Sequence, residues 1–430
     1  MVHDKTGGAA LAGRRQAVTA TRLFVTTNGP GEVMGWVRPF LRRIFARDPT
    51  SKVTVVLLPC AYASGHETQA LEKMFPSAAV IGPDAYARFL IGRQTAGMQR
   101  GNGVLQYLGG DLFHAITIAR RLELEPMTYK FTKRSYANRF QRFFALDERN
   151  AQQLRNEGAP PDKVRVVGNL VYDAVAESLQ RPPPPPGEGS GVCILPGSRP
   201  YELKFLLPFF LSIARELVRL RPDVPVSFVV SPFSSDDELR AGIEHAGDPH
   251  LFGTAGRFDA ARDVIHVDGC QFSIDRSMDY RSMAQSQLVI SIPGTKCIEA
   301  AVLGRALLVT VPTNRLDELA MNGVAAYLHR IPLIGRPLKT SIARALERRL
   351  KFIAQPNIDA GELVAPELRG ILKPAEVAAH AAAMLDDAAA LRLMGERLKA
   401  LYASNAGAAD RMAAEALSVA ARSAAQKLAV

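Results

Sequence analysis

Val192-Cys-Ile-Leu-Pro-Gly-Ser-Arg-Pro-Tyr-Glu202 is the stretch that decides how this chain folds. A short apolar run ends at Leu195, Pro196 and Gly197 break it, and a helical pattern opens at Arg199-Pro200, which is strand, turn and helix in sequence. Gly197 and Ser198 would then present backbone N–H groups at a helix N-terminus, a natural site for phosphate, and the Arg199 fork could hold a diphosphate at two points. A plain strand-to-helix turn is the bland alternative. The same order recurs in Ile292-Pro-Gly-Thr-Lys-Cys-Ile-Glu299. There Gly294 opens the turn, Thr295 could cap the helix and donate to phosphate, and Glu299 follows one turn later, able to accept from ribose hydroxyls. Alternatively Thr295 and Glu299 only cap and solubilise the helix.

Around these turns the chain alternates short apolar runs with longer helical patterns, the mark of parallel α/β layers. In the first half the expected strands are Arg22–Thr27, Val53–Leu58, Val104–Leu108, Arg142–Ala145 and Val164–Val167. In the second they are Val192–Leu195, Val224–Val230, Asp263–Val267, Leu288–Ile292 and Leu307–Val311, mostly apolar on both faces as buried parallel strands are. After Asp111 a helix carries Leu112, Ala115, Ile116, Ala119 and Leu122 on one stripe. The five prolines Pro182–Pro186, followed by Gly187, Gly189 and Gly191, continue neither element and read as a semi-rigid linker. The expected units are therefore a disordered leader 1–21, a domain 22–180, a linker 181–191, a domain 192–385, and C-terminal helices 386–430.

Composition narrows the class. Fifty-three Lys and Arg against 42 Asp and Glu leave a net charge of +11, which favours an anionic partner. Cys60, Cys193, Cys270 and Cys297 have no CxxC spacing and read as buried thiols in a reducing cytoplasm. The leader lacks an apolar h-region, and runs such as Phe205–Ala214 are too short to span a bilayer, so membrane contact would be peripheral. No Asp-x-Asp pair or zinc spacing occurs, so no metal and no cofactor is expected. Neither a Walker motif nor Gly-x-Gly-x-x-Gly follows the first strand, which argues against an NTPase or a dehydrogenase. Charge spread through two α/β halves makes a nucleic-acid-binding module the weakest reading.

Leu195–Glu202, Gly294–Glu299 and Gln355-Pro-Asn-Ile-Asp-Ala-Gly-Glu-Leu-Val-Ala-Pro-Glu-Leu368 together resemble the donor-site motifs of lipid A disaccharide synthases, and Gly168-Asn-Leu-Val-Tyr-Asp173 resembles that family's hinge segment. The resemblance runs from about Arg22 to Leu385. It implies the GT-B fold, two Rossmann-like domains facing an interdomain cleft, with a UDP-sugar held by the C-terminal half, the acceptor by the N-terminal half, and helices 386–430 able to pack back on the N-terminal domain. It puts Asn357 in the donor pocket. It makes Asp111, in Gly109-Gly-Asp-Leu-Phe113, the candidate general base, although an aspartate before an amphipathic helix is ordinarily an N-cap. His114 is an alternative base or a partner to Asp111. The acceptor-side loop Asn28-Gly-Pro-Gly-Glu-Val-Met-Gly35, with Gly29, Gly31 and Glu32, departs from the family's Gly-Glu-x-Ser-Gly-Asp pattern and is followed by Trp36, the only tryptophan.

By that resemblance the chain is an inverting glycosyltransferase. It would move an N-acetylglucosamine-type or acylated glucosamine unit to a lipid-like acceptor at the inner face of the cytoplasmic membrane, with a homodimer left open. The basic and aromatic segment Tyr129–Phe144 could meet anionic lipid or be an ordinary amphipathic stretch. A UDP-sugar 2-epimerase and a catalytically inactive nucleotide-sugar-binding protein are the rival readings.

Overall fold

A computed structural model of the chain describes residues 21–60, 65–314 and 350–428; the leader 1–21, apart from Thr21, lies outside the described residues. The first half builds a wholly parallel seven-stranded sheet in the order β3-β2-β1-β4-β5-β6-β7. Its strands are β1 Arg22–Thr27, β2 Lys52–Leu57, β3 Ala79–Ile81, β4 Val104–Tyr107, β5 Glu125–Tyr129, β6 Arg142–Ala145 and β7 Val164–Val166. Five of these stand where the apolar runs predict them. The edge strand β3 has three residues, and β5 contains Pro126, so neither gives a clear strand pattern. Pro126 is tolerated because pairing with β6 begins only at Met127, and its missing N–H leaves no ladder bond unmade.

The second half builds an eight-stranded sheet in the order β10-β11-β12-β9-β8-β13-β14-β15. These are β8 Val192–Leu195, β9 Val226–Val229, β10 Arg257–Asp259, β11 Val264–Val267, β12 Cys270–Asp275, β13 Leu288–Ser291, β14 Ala306–Pro312 and β15 Glu367–Gly370. The expectation of parallel strands fails at one edge, where β10, β11 and β12 form an antiparallel meander. Asp268 and Gly269, with φ of +46° and +82°, join β11 to β12. A two-residue Asp-Gly loop of this kind closes only an antiparallel pair, so the signal was present in the sequence.

The Phe205–Ala214 run is the buried middle of the 21-residue helix Pro200–Leu220, with Phe209, Phe210 and Leu211 in the C-terminal core. On the helix after Asp111, Ile118 rather than Ile116 completes the buried stripe. The proline run is not a free linker. Buried Arg305 donates to Pro184 O at 2.6 Å and Ser190 N to Gln285 O at 2.7 Å, tying residues 184–190 to the C-terminal sheet's unit. The chain crosses between the two sheets' units at Gly168–Asp173 and again at Tyr402–Ala409. These crossings are bonded to each other: Asn169 N donates to Asn405 Oδ1, and Asp173 accepts from Gly407 N and Ala409 N. Helices Pro374–Asp386 and Ala388–Tyr402 bury Val377, Ala381 and Leu391 in the C-terminal core. Helix Ala408–Leu428 buries Ala409, Met412, Ala413 and Ala416 in the N-terminal one.

Candidate active site in the cleft

Each sheet has one place where neighbouring strands send their connections in opposite directions, and loops part there to leave a crevice at the carboxyl ends. In the N-terminal sheet it lies between β1 and β4, in the C-terminal sheet between β8 and β13. The two crevices face each other. A cavity of about 330 Å³ is lined by Asn28, Gly29, Gly31 and Glu32 from one side and by Gly197, Ser198, Arg199, Gly294, Thr295, Lys296 and Glu299 from the other. A second cavity, of about 350 Å³, shares Glu32, Gly294 and Thr295 with the first and adds Trp36, Lys130 and Gln355.

The two C-terminal turns differ in how their N–H groups are used. At Pro196–Arg199 the Glu202 carboxylate folds back, accepting from Ser198 N at 2.7 Å and Arg199 N at 3.1 Å. The Arg199 guanidinium meets Tyr201 Oη at 3.1 Å and Glu202 Oε1 at 3.5 Å. Gly197 permits this closure, because at its φ of +123° a Cβ would sit 2.5 Å from the Glu202 side chain. The expected phosphate donors are thus engaged by an internal anion, which is the capping box winning the local competition. The helix Thr295–Val302 has no side-chain cap, and nothing lies within 4 Å of where a Gly294 Cβ would be. Lys296 Nζ forms an ion pair with Glu299 Oε2 at 2.8 Å, outside hydrogen-bonding geometry.

On the N-terminal side a helix runs from Pro30 to Arg47 with a π-turn at Val33–Val37. Pro39 explains the widening. It cannot donate to Gly35 O and crowds that carbonyl, and Arg38 N bonds Val33 O, five residues back. The register shift sets Gly35 against the C-terminal half, where a Cβ would lie 3.3 Å from Val171 and 3.6 Å from Thr295. Trp36, next in the chain, packs on the cores of both halves. Among the described residues Glu32 has no hydrogen-bond or ion-pair partner, and the buried Asn28 Oδ1 has no donor.

Three expected site residues stand outside both cavities. Asp111 caps the helix Leu112–Leu122, accepting from Phe113 N at 2.8 Å. Its side chain is 55% exposed and lies 3.7 Å from Lys133 Nζ. It reaches the cleft only through Gly109, which packs against Asn28 and Glu32. His114 Nδ1 is held at 2.8 Å by Tyr86 Oη, and burial lowers its pKa against the opposing pull of Asp111. Asn357 is fully buried. Its Oδ1 accepts from Val364 N and Ala365 N, and its Nδ2 donates to Ala365 O and Glu367 Oε1. An amide has two donors and two acceptor sites, so none remains for a ligand. Asn357 instead staples the loop that carries Gln355. Lys296 lies inside a quoted motif without having been singled out, and Lys130, in the basic and aromatic segment Tyr129–Phe144 expected to meet anionic lipid or to be amphipathic, lines the second cavity instead.

No protein-family model matches the chain. It is 30% identical over 254 residues to the lipid-A-disaccharide synthase of Anaeromyxobacter dehalogenans, covering 56% of this chain and 55% of the relative. It is 28% identical over 233 residues to that of Syntrophus aciditrophicus, covering 53% and 49%. The chain resembles the lipid-A-disaccharide synthases. It spans about half the length of these synthases. In three dimensions it is similar to a UDP-N-acetylglucosamine 2-epimerase, with a TM-score of 0.51, 14% identity and coverage of 93% of this chain and 96% of that one. A candidate UDP-N-acetylglucosamine 2-epimerase of Listeria monocytogenes gives 0.50, 13%, 92% and 95%. The fold is therefore GT-B, two Rossmann-like halves across a cleft.

Proposed function

We propose that this protein is a UDP-sugar-dependent inverting glycosyltransferase of the lipid A disaccharide synthase type, acting on a lipid-like acceptor. The single observation that carries the reading is the cavity with an uncapped helix N-terminus and Lys296 on one wall and the unpartnered carboxylate of Glu32 on the other. An acceptor hydroxyl oxygen attacks the anomeric carbon and its proton passes to Glu32. The bond from that carbon to UDP breaks with its electron pair leaving on the diphosphate, and configuration inverts. Lys296, Arg199 and the Thr295 helix terminus stabilise the departing charge with no metal. Glu32 takes the role that the family resemblance offers to Asp111, because Asp111 is already a cap on the cleft's outer rim.

An epimerase would need an acid and a base beside the donor. Of the carboxylates lining the first cavity, Glu202 is engaged by backbone N–H groups and Glu299 by Lys296, which favours transfer. Exposed Phe113 and Phe131, near the Lys133–Asp111 pair, support peripheral contact with an anionic membrane at its cytoplasmic face. No helix of the described residues is long and apolar enough to cross a membrane. The test is acceptor-dependent UDP release with a lipid extract as acceptor source. Glu32→Gln should lower turnover by roughly 100- to 10,000-fold with UDP affinity kept, while Asp111→Asn, which caps as well, should leave it near normal. The reverse ranking returns the base to Asp111, and UDP release without acceptor removes the transferase reading.

A further inference from the structure

The C-terminal wall of the first cavity has a support that comes from the other half of the molecule. Arg38 follows the π-turn of the helix that carries Glu32, and its side chain is buried. Among the described residues no carboxylate pairs with it. Its Nη2 donates to Ala174 O at 2.9 Å and its Nη1 to Met278 O at 3.4 Å, and its Nε has no partner. Filling this space alone would favour an apolar side chain, because a buried guanidinium without a counter-ion is costly to keep. Nη2 also donates to the Tyr280 hydroxyl at 3.5 Å, and that contact leads to the cavity.

Tyr280 is held firmly in place. Its φ of +57° is one that side-chain-bearing residues rarely adopt, and such strain persists only where the surroundings over-determine it. Two carboxylates do so: Asp275 accepts from Ser277 N at 2.7 Å and from Ser282 N at 3.2 Å, and Asp279 accepts from Arg281 N at 3.0 Å. The Tyr280 ring is buried, and the Lys296 ammonium lies 5.5 Å from its centre, within reach of a cation–π contact. That ammonium also pairs with Glu299. Burial and the neighbouring Glu299 carboxylate raise the pKa of the Tyr280 hydroxyl, with Arg38 opposing, so the hydroxyl stays protonated at neutral pH. One line of contacts therefore runs from the helix of Glu32 through Arg38 and Tyr280 to Lys296. A lysine is a point charge on a flexible stem, and a ring beneath its ammonium removes in advance some of the freedom that ligand binding would otherwise have to remove.

We propose that Tyr280 is a positioning residue, its ring seating Lys296 for the diphosphate of a nucleotide while Arg38, from the opposite half, fixes the ring. This rests on the reading of the first cavity as the UDP-sugar site.

Calorimetric titration of UDP into the full-length protein tests this without an acceptor. Tyr280→Leu should weaken UDP about tenfold, less than Lys296→Met does, and Tyr280→Phe, which keeps the ring, should recover most of that loss. In a Lys296→Met background Tyr280→Leu should cost less than a further threefold, because the lysine it seats is gone. A tyrosine that only holds the fold would cost the same in both backgrounds, and that additive result overturns the proposal. Equal losses in Tyr280→Phe and Tyr280→Leu overturn the part given to the ring. Arg38→Met should weaken UDP about fivefold through the same lysine, and unchanged affinity overturns the part given to Arg38. If Tyr280→Leu does not fold, Arg38→Met carries the same cycle. If neither folds, the wild type decides by nuclear magnetic resonance: the Lys296 ε-methylene signal, identified by its loss in Lys296→Met, should stand upfield of the solvent lysines under the Tyr280 ring current, and a signal among them overturns the proposal. Absent UDP binding by the wild type counts against the donor site itself, whereas tight UDP binding with an additive cycle counts only against the positioning role.

Discussion

The turns Pro196–Arg199 and Ile292–Gly294 leave neighbouring strands of one sheet, open onto one cavity, and both begin with proline and glycine, yet one is closed and the other open. The difference lies in where the glutamate falls. Glu202 is the N3 residue of its helix, the capping-box position, so its carboxylate reaches the N–H groups of the turn. Glu299, with Gly294 as N-cap, falls at N5, two positions further along, cannot reach back and pairs with Lys296 instead. A shift of two residues along a helix therefore decides whether the terminus holds its own anion or awaits one.

The comparison breaks first at Lys296. If the open turn holds the diphosphate, Lys296→Met should weaken UDP by about 100-fold in calorimetry, the upper end of a charge-assisted contact at about 1.5–3 kcal/mol. A change below threefold would move the donor elsewhere. Arg199→Ala should cost about tenfold, less than Lys296→Met because the guanidinium is shared with Tyr201 and Glu202. An effect equal to that of Lys296→Met would make the two turns equivalent partners.

Glu202→Gln sharpens the contrast. It removes the internal negative charge while keeping an oxygen for the cap, so UDP should bind a few-fold more tightly, with a thermal midpoint lowered by a few degrees at most. Weaker UDP binding would show that Glu202 serves the ligand directly. The smallest expected effect concerns the loop stapled by Asn357. Burial alone would raise the Glu367 pKa, but hydrogen bonds from Asn357, Ala354, Arg369 and Ile353 outweigh it and hold the carboxyl below its ordinary value. A carboxylate depressed in the folded state contributes stability that is fully present above its unfolded pKa, about 4.3, and is lost as pH falls through the lower folded value. Melts from pH 5 downward should therefore fall less steeply in Glu367→Gln than in the wild type, and parallel curves would remove Glu367 from the acid response.

Legibility followed the range of the interaction. Most of the strands could be read because a buried parallel strand needs a short apolar run on both faces, as at Val192–Leu195 and Leu288–Ser291. Strand β5 is masked by Pro126, and the antiparallel meander is signalled by Asp268-Gly269 rather than by its apolar runs. In the cleft, nine named residues line one cavity, because glycine turns after strands mark the carboxyl edge wherever the sheet sits. Asp111 and Asn357 could not be placed from the sequence for one reason: a cap or an amide staple carries the same residue type as a base or a ligand contact. Only its partners tell them apart.

By itself the sequence determined the α/β class and the two glycine turns, because these follow from local periodicity and from backbone freedom at glycine and proline, whereas the stretch it offers as an acceptor-side loop, Asn28–Gly35, folds from Pro30 onward into a helix. The tertiary structure alone decided that the proline run docks on Arg305, that Glu202 fills its own turn, and that Lys130 lies beside Trp36. Each of these is set by groups distant in sequence or by a side chain's final direction, and no periodicity encodes such a meeting until the chain has packed around each sheet.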